Sequence, residues 1–252
     1  MDFIFRFRKI YLALVGVLAV PFAIYLFASY SYVSKCSAPR KSCLEHRQVG
    51  CSINGNYNIK FAWNVSEVTC DMQTDGGGWM LLANYLHKKA TPGGPTPLGR
   101  GLFPLENHRS LGSDEVGTRA WGHISLATHV DLSYKELRFR CETTAHSRLV
   151  DFSLFSEKCL AYFKTGKGAC TEGPASTAML RAESRALSNS NSMLPGVADR
   201  GWADQGDNAL TNYPFFADYK SHWSIGSVPS RFECDDYDAG AGASTFHQVW
   251  AR

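Results

Sequence analysis

The chain has 252 residues, a formal net charge of +3, 19% charged and 13% aromatic residues, and 22 glycines. Its basic residues are scattered, which excludes the clustered basic face a nucleic-acid binder needs. Its length suffices to bury a core without a metal or cofactor, and an aromatic-rich, Gly-rich composition fits a loop-rich domain of the cell exterior better than a helical cytosolic one.

The first element is apolar. Residues 10–34 (IYLALVGVLAVPFAIYLFASYSYVS) form a 25-residue run without charge, and about 20 helical residues cross the hydrocarbon core of a bilayer. Pro21 lies within it, as membrane helices tolerate, and Tyr25, Tyr30 and Tyr32 lie toward its far end, where interfacial aromatics gather. A cleaved signal peptide has a shorter apolar region, about 7–15 residues, so an uncleaved signal-anchor is the expectation and secretion after cleavage the alternative. Flanking charge is nearly balanced: Arg6, Arg8 and Lys9 in front, Lys35, Arg40 and Lys41 behind. Orientation is decided by cysteine. All eight lie after the run, and an oxidising compartment lets them pair. The expected order is a cytoplasmic tail (1–9), the anchor (10–34), a short polar stem (35–42) and an extracytoplasmic domain (43–252), a single-pass type II arrangement. The sequon Asn64-Val65-Ser66 lies on the same side as a candidate glycosylation site.

Past the stem, Trp79–Tyr85 and Leu137–Cys141 are predicted strands, the second with Leu137, Phe139 and Cys141 on one face. Leu149–Phe155 is its candidate antiparallel partner. Thr91–Pro104 is Pro/Gly-rich and predicts a surface loop. Ser113 before Asp114, Glu115 and Val116 predicts a helix N-cap, and Ser176–Ala186 a helix. Phe246–Arg252 predicts a closing strand with Phe246, Gln248 and Trp250 on one face and His247, Val249 and Ala251 on the other. The expected class is α+β, with short antiparallel sheets, few short helices and long disulfide-stapled loops, behind one transmembrane helix.

Three blocks stand in order: Gly55-Asn56-Tyr57-Asn58-Ile59, Val68-Thr69-Cys70-Asp71-Met72 and Thr74-Asp75-Gly76-Gly77-Gly78-Trp79. They resemble the opening of a fibrinogen C-terminal-like domain, which reads Gly-x-Tyr-x-Ile, then Cys-Asp-Met, then a glycine run closed by Trp. The glycines permit positive φ and close backbone approach, and Trp79 supplies a large apolar anchor. The resemblance covers about residues 43–86. It implies a Cys43–Cys70 disulfide. The other six cysteines allow 15 pairings: Cys159 and Cys170 flank a Lys-Thr-Gly-Lys-Gly turn and are candidates to close a hairpin, Cys36 and Cys51 neighbour the first bridge, and Cys141 with Cys234 would be a long-range staple. A zinc site is not indicated, since Cys-x-x-Cys and suitably spaced His are absent from the sequence.

Further on, Trp121-Gly122-His123, Glu136-Leu137-Arg138-Phe139-Arg140 and Gly201-Trp202-Ala203-Asp204-Gln205-Gly206 look more like the intelectin branch of this superfamily, which binds microbial glycans through calcium. The place of its first calcium block reads Leu86-His87-Lys88-Lys89 here, and two lysines repel a cation, so that site is not carried over. A more even resemblance to fibrinogen-like proteins of marine invertebrates and their skeletal matrices raises a matrix role.

The candidate calcium site is therefore Asp235, Asp236 and Asp238, three carboxylates in four residues followed by the flexible Ala239–Ala243; calcium takes six to eight hard oxygens, and the family holds calcium near its C-terminal third. Trp202, Tyr213, Trp223 and Tyr237 are candidates for an aromatic wall against a sugar, with His222 as a polar partner; core packing is the competing role for each aromatic. The resemblance implies a non-enzymatic recognition protein that binds glycans, glycoproteins or acetylated ligands. An adhesive or skeletal-matrix protein that binds proteins or mineral is the alternative. A Golgi-type glycosyltransferase is third, on the topology and on Asp236-Tyr237-Asp238, but the alternating βαβ pattern and nucleotide crevice are missing.

Overall fold

The computed structural model describes residues 2–62, 64–87, 122–124, 132–144, 147, 149–165, 183–187, 215–218, 221–227, 230–234 and 244–252. Helix α1 (Asp2–Ser37) continues through Pro21 and takes up the first residues of the predicted stem. At 1.5 Å per residue it is about 54 Å long. Val20, Phe22, Ile24, Leu26 and Phe27 on it are exposed. Among the described residues no helix is long and apolar enough to cross a membrane; the side chains of residues 2–19 lie outside those described. Ser42 then caps the short helix α2 (Cys43–Gln48), its hydroxyl accepting from the Glu45 amide, as an N-cap serine does.

Strands β1 (Gly55–Lys60), β2 (Val65–Asp71), β3 (Trp79–His87), β4 (Gly122–His123), β5 (Leu137–Thr143), β6 (Val150–Leu154), β7 (Ser184–Ala186) and β11 (Thr245–Ala251) form one sheet in the order β1-β2-β3-β11-β5-β6-β7, with β4 on β3. β4 pairs β3 at Ala83 and Asn84, beyond the short stretch at Trp79 and Met80 that β2 occupies. The last strand is central: β11 lies between β3 and β5, antiparallel to both. Its residues are buried throughout, so the sheet is covered on both faces. A second sheet, β10 (Ser230–Cys234), β9 (Ser221–Ser227) and β8 (Phe215–Asp218), is antiparallel too. Helix α3 (Glu157–Thr165) follows β6.

Alternation along β5 sorts the two faces. Phe139 stacks on its register partner Phe152 at 5.3 Å and meets Phe163 of α3 at 5.2 Å and Trp223 of β9 edge-on at 5.1 Å. On the same face Cys141 is bonded to Cys234 of β10, which ties the second sheet to the first. Arg138 and Arg140 occupy the opposite face, with Phe246, Gln248 and Trp250 of β11 as predicted: Arg138 lies over the Trp250 ring at 5.9 Å and Arg140 over Phe246 at 5.5 Å.

Two expectations are corrected. Ser184–Ala186, the end of the predicted helix 176–186, is strand β7, paired with Phe152, Ser153 and Leu154; the rest of that segment up to residue 182 lies outside the described residues. An open edge on β6 offers backbone partners to three residues whose helix propensity is a weak preference. Cys159 lies in α3 rather than on a hairpin. It is disulfide-bonded, while Cys170 is outside the described residues. The Cys43–Cys70, Cys36–Cys51 and Cys141–Cys234 bridges are present. The loop at Thr91–Pro104 and the N-cap at Ser113 are not among the described residues.

Candidate functional site

The second and third sequence blocks converge on one hub. Asp71, at the end of β2, uses both carboxylate oxygens: Oδ1 accepts from the amides of Gln73 and Thr74 at 3.0 Å each, and Oδ2 from Arg138 at 2.8 Å. The first pair closes the turn into the glycine run. Trp79 then donates its indole N–H to the Thr74 carbonyl at 2.9 Å. Gly77 takes φ +76°, and a Cβ there would lie 2.0 Å from the Met72 carbonyl oxygen. At Gly78 (φ +84°) a Cβ would meet the Leu44 backbone at 2.9 Å. Only glycine fits such approaches. Cys70, in β2 immediately before Asp71, is bonded to Cys43 at the start of α2.

Arg138 is the centre of the buried charge. Its Nε and one terminal nitrogen grip Asp151 in a fork at 2.7 and 2.6 Å, and the other terminal nitrogen reaches Asp71. The guanidinium lies 6.0 Å from the Trp79 ring centroid. A buried charge is tolerated when paired and fully hydrogen-bonded. Burial pushes the Arg138 pKa down, but the hydrogen bonds and charges of Asp151 and Asp71 outweigh it and the net direction is up. Burial likewise pushes Asp71 up, and the bonds from Thr74, Gln73 and Arg138 bring it below the usual carboxylate range.

A second, half-exposed network flanks the glycine run. Asp75, the one non-glycine with positive φ among the described residues, pairs with both terminal nitrogens of Arg185. Arg252 donates to the Asp75 carbonyl at 2.6 Å and to Glu136 at 2.6 Å, and stacks over Trp79 at 4.1 Å. Burial raises the Asp75 pKa, and Arg185 and Arg252 more than reverse it. Elsewhere in the core Gln248 donates to Asn84 at 3.1 Å, and Tyr85 bonds His123.

These side chains crosslink strands; they are a scaffold. Of the sequence-predicted ligand residues, Trp223 is fully buried and packs edge-on against Phe139 and His247. That is a correction: the competing core role holds, and Trp223 presents no surface to a sugar. His222 precedes it in β9, its side chain outside those described. Trp202, Tyr213, Tyr237, Asp235, Asp236 and Asp238 also lie outside the described residues. Their places in the chain are known: Trp202 and Tyr213 fall between β7 and β8, and Tyr237 and the aspartates between β10 and β11. Among the described residues no cluster of His, Cys, Asp or Glu is placed to hold a metal ion. Asn64 is exposed at the turn from β1 to β2.

The Asp71–Arg138–Asp151 cluster was missed at the level of sequence. Its signal lay in the β5–β6 pair, where Arg138 and Arg140 alternate with apolar residues and Asp151 does so on the facing strand. An alternating arginine reads as solvent-facing until the other face is known to be covered.

No family model matches the chain. Human angiopoietin-related protein 6 is 30% identical to it over 112 residues, 39% of this chain and 24% of that protein, so the chain spans about a quarter of that relative's length. Among solved structures, the fibrinogen-like globe domain of human ANGPTL6 is 17% identical, covering 86% of this chain and 96% of its own, with a TM-score of 0.39. That of human ANGPTL2 is 13% identical, covering 84% and 98%, with a TM-score of 0.38.

Proposed function

We propose that this chain, whose disulfide-stapled globe is a fibrinogen C-terminal-like domain, is a non-enzymatic recognition protein of the cell exterior, held at the membrane by its N-terminal helix in a single-pass type II orientation. The observation that carries the exterior placement is the set of bridges Cys36–Cys51, Cys43–Cys70 and Cys141–Cys234, which persist in oxidising compartments and are rare in the cytosol. The anchor reading is supported by the charge-free run 10–34 and by the exposed apolar side chains at its visible end, Val20, Phe22, Ile24, Leu26 and Phe27. Contiguous exposed apolar surface of this kind marks contact with a partner or a membrane.

The ligand is a glycan or an acetylated group, taken by residues of the chain between β7 and β8 and between β10 and β11. Trp202, Tyr213 and Tyr237 supply ring faces for apolar sugar surfaces and His222 a hydrogen bond. Calcium, held by Asp235, Asp236 and Asp238, orders the segment between β10 and β11. A rigid scaffold that positions variable loops is a common arrangement for binding.

The test is a glycan array probed with the full chain in lipid nanodiscs, with calcium and with chelator. Selective binding, lost on chelation and displaced by a monosaccharide, is the expected result. Binding to proteins or mineral that neither sugar nor chelator displaces would instead establish the adhesive or matrix role and sink the lectin reading.

A further inference from the structure

The turn between β1 and β2 has four residues, 61–64, closed by a bond from the Phe61 amide to the Asn64 carbonyl at 2.8 Å, with Lys60 and Val65 in register beneath it. Phe61 is buried and pins the turn to the core, while Asn64 is exposed and Val65 is 48% exposed. Across the start of β2, the Ser66 hydroxyl donates to the Asn64 side-chain oxygen at 3.3 Å, which holds the two side chains together. Asn64 and Ser66 are the two obligatory residues of the only Asn-x-Ser/Thr sequon in the sequence. The inner part of β2 is buried from Val68 onward, so the sequon sits on the last stretch of the hairpin that faces water.

We propose that Asn64 carries an N-linked glycan in the folded protein, standing off the tip of the β1–β2 hairpin. The inference rests on the exterior placement of the domain and goes beyond the ligand reading. In the transfer, the Asn64 side-chain nitrogen attacks the anomeric carbon of a lipid-diphosphate-linked oligosaccharide. A C–N bond forms, the bond from that carbon to phosphate oxygen breaks, the lipid diphosphate leaves, and the amide gives up one proton to the transferase base. The co-reactant and transferase belong to the lumen of the secretory pathway. The glycan is attached to the emerging chain, so the fold has only to leave room for it, and an exposed residue at a hairpin tip does so.

The position has a structural consequence. β1 is the outer strand of the main sheet. Part of its free edge is covered by Arg40, whose amide donates to the Asn58 carbonyl at 3.1 Å and whose carbonyl accepts from the Lys60 amide at 2.6 Å. An open strand edge invites pairing with another chain; Arg40 blocks the end of β1 nearest the hairpin tip, and a sugar on Asn64 adds bulk at that same end.

The experiment expresses the full chain in a eukaryotic secretory host, with a reference Asn-Gly-Thr sequon appended after Arg252 in a parallel version. The untagged chain is expected to run as a heavier species that peptide-N-glycosidase collapses, and release in heavy-oxygen water to label position 64 as aspartate. Asn64→Gln and Ser66→Ala are expected to abolish the shift, and Ser66→Thr to keep it. Glycosylation of the appended sequon with position 64 unmodified would overturn the proposal and leave the exterior placement standing. Modification at neither place would overturn both.

Discussion

Arg138 shows how a residue that reads as surface becomes the centre of the fold. Its side chain is almost fully enclosed, and it holds two carboxylates from two other strands. Removing one partner of a buried ion cluster leaves the others uncompensated, which costs about 3–5 kcal/mol. Arg138→Leu is therefore expected to lower the unfolding free energy by that amount in denaturant titration, because Asp71 and Asp151 stay buried and close together. This cluster and the network around Asp75 set the acid limit. Asp71 and Asp75 both have folded pKa values below the ordinary carboxyl value. Their stabilising contribution is present above the unfolded pKa, near about 3.9, and is lost as pH falls through the depressed folded values. Thermal melts are expected to show stability falling as the solution is acidified below pH 4, with a shallower fall in Asp71→Asn; an equal slope in that variant would remove Asp71 from the account. Trp79 and the glycines were legible from the sequence because their residue types have few other uses. Asp71 was legible as part of a motif, but its partner Arg138 was not, since the two are brought together only by the sheet order.

Among the elements, short-range pattern served strands well and segment ends poorly. The alternation at Leu137–Cys141 and Phe246–Arg252 reports directly which side chains share a face, and the observed faces agree. That these two strands are neighbours, with β11 between β3 and β5, is a long-range pairing that no local pattern encodes. The helix expected to end at Ala186 failed at its end because the β6 edge supplied backbone partners that propensity does not see. The junction of α1 with the globe is another long-range feature. Cys36 is bonded to Cys51, the Tyr32 hydroxyl accepts from the Ser52 amide at 3.1 Å, and Asn58 donates to the Ser37 carbonyl at 3.2 Å. The helix is thus seated on the globe through its last two turns. The bridge closes a loop of 15 residues, for which chain entropy gives about 3 kcal/mol. Replacing Cys36 and Cys51 together by serine is expected to cost about that much in unreduced denaturant unfolding. The same pair of changes at Cys141 and Cys234, separated by 93 residues, is expected to cost more, because loop-closure entropy grows with length. Equal losses would point to native-state contacts rather than chain entropy as the source.

For the whole molecule the question is where scaffold ends and recognition begins. The described sheets spend their buried polar groups on one another: Arg138 on Asp71 and Asp151, Gln248 on Asn84, Tyr85 on His123. The candidate ligand residues fall in the chain segments between β7 and β8 and between β10 and β11, with Trp223 as the exception that packing claimed. This division predicts two separable kinds of damage. Trp223→Ala empties a fully enclosed site against Phe139 and His247, and truncating a buried tryptophan costs about 3–5 kcal/mol. Its melting temperature is expected to drop sharply, and any loss of binding should track the loss of folded protein. Asp236→Asn removes one charge from the proposed calcium loop and touches no described core contact. It is expected to leave the melting temperature of the calcium-free protein unchanged while abolishing the rise in melting temperature that added calcium gives the parent, since a ligand stabilises only the state that binds it. If calcium gives the parent no rise, the metal is no part of recognition and the aromatic residues must act alone. If Asp236→Asn instead lowers stability without calcium, the loop belongs to the scaffold, and the boundary between the two lies further out along the chain.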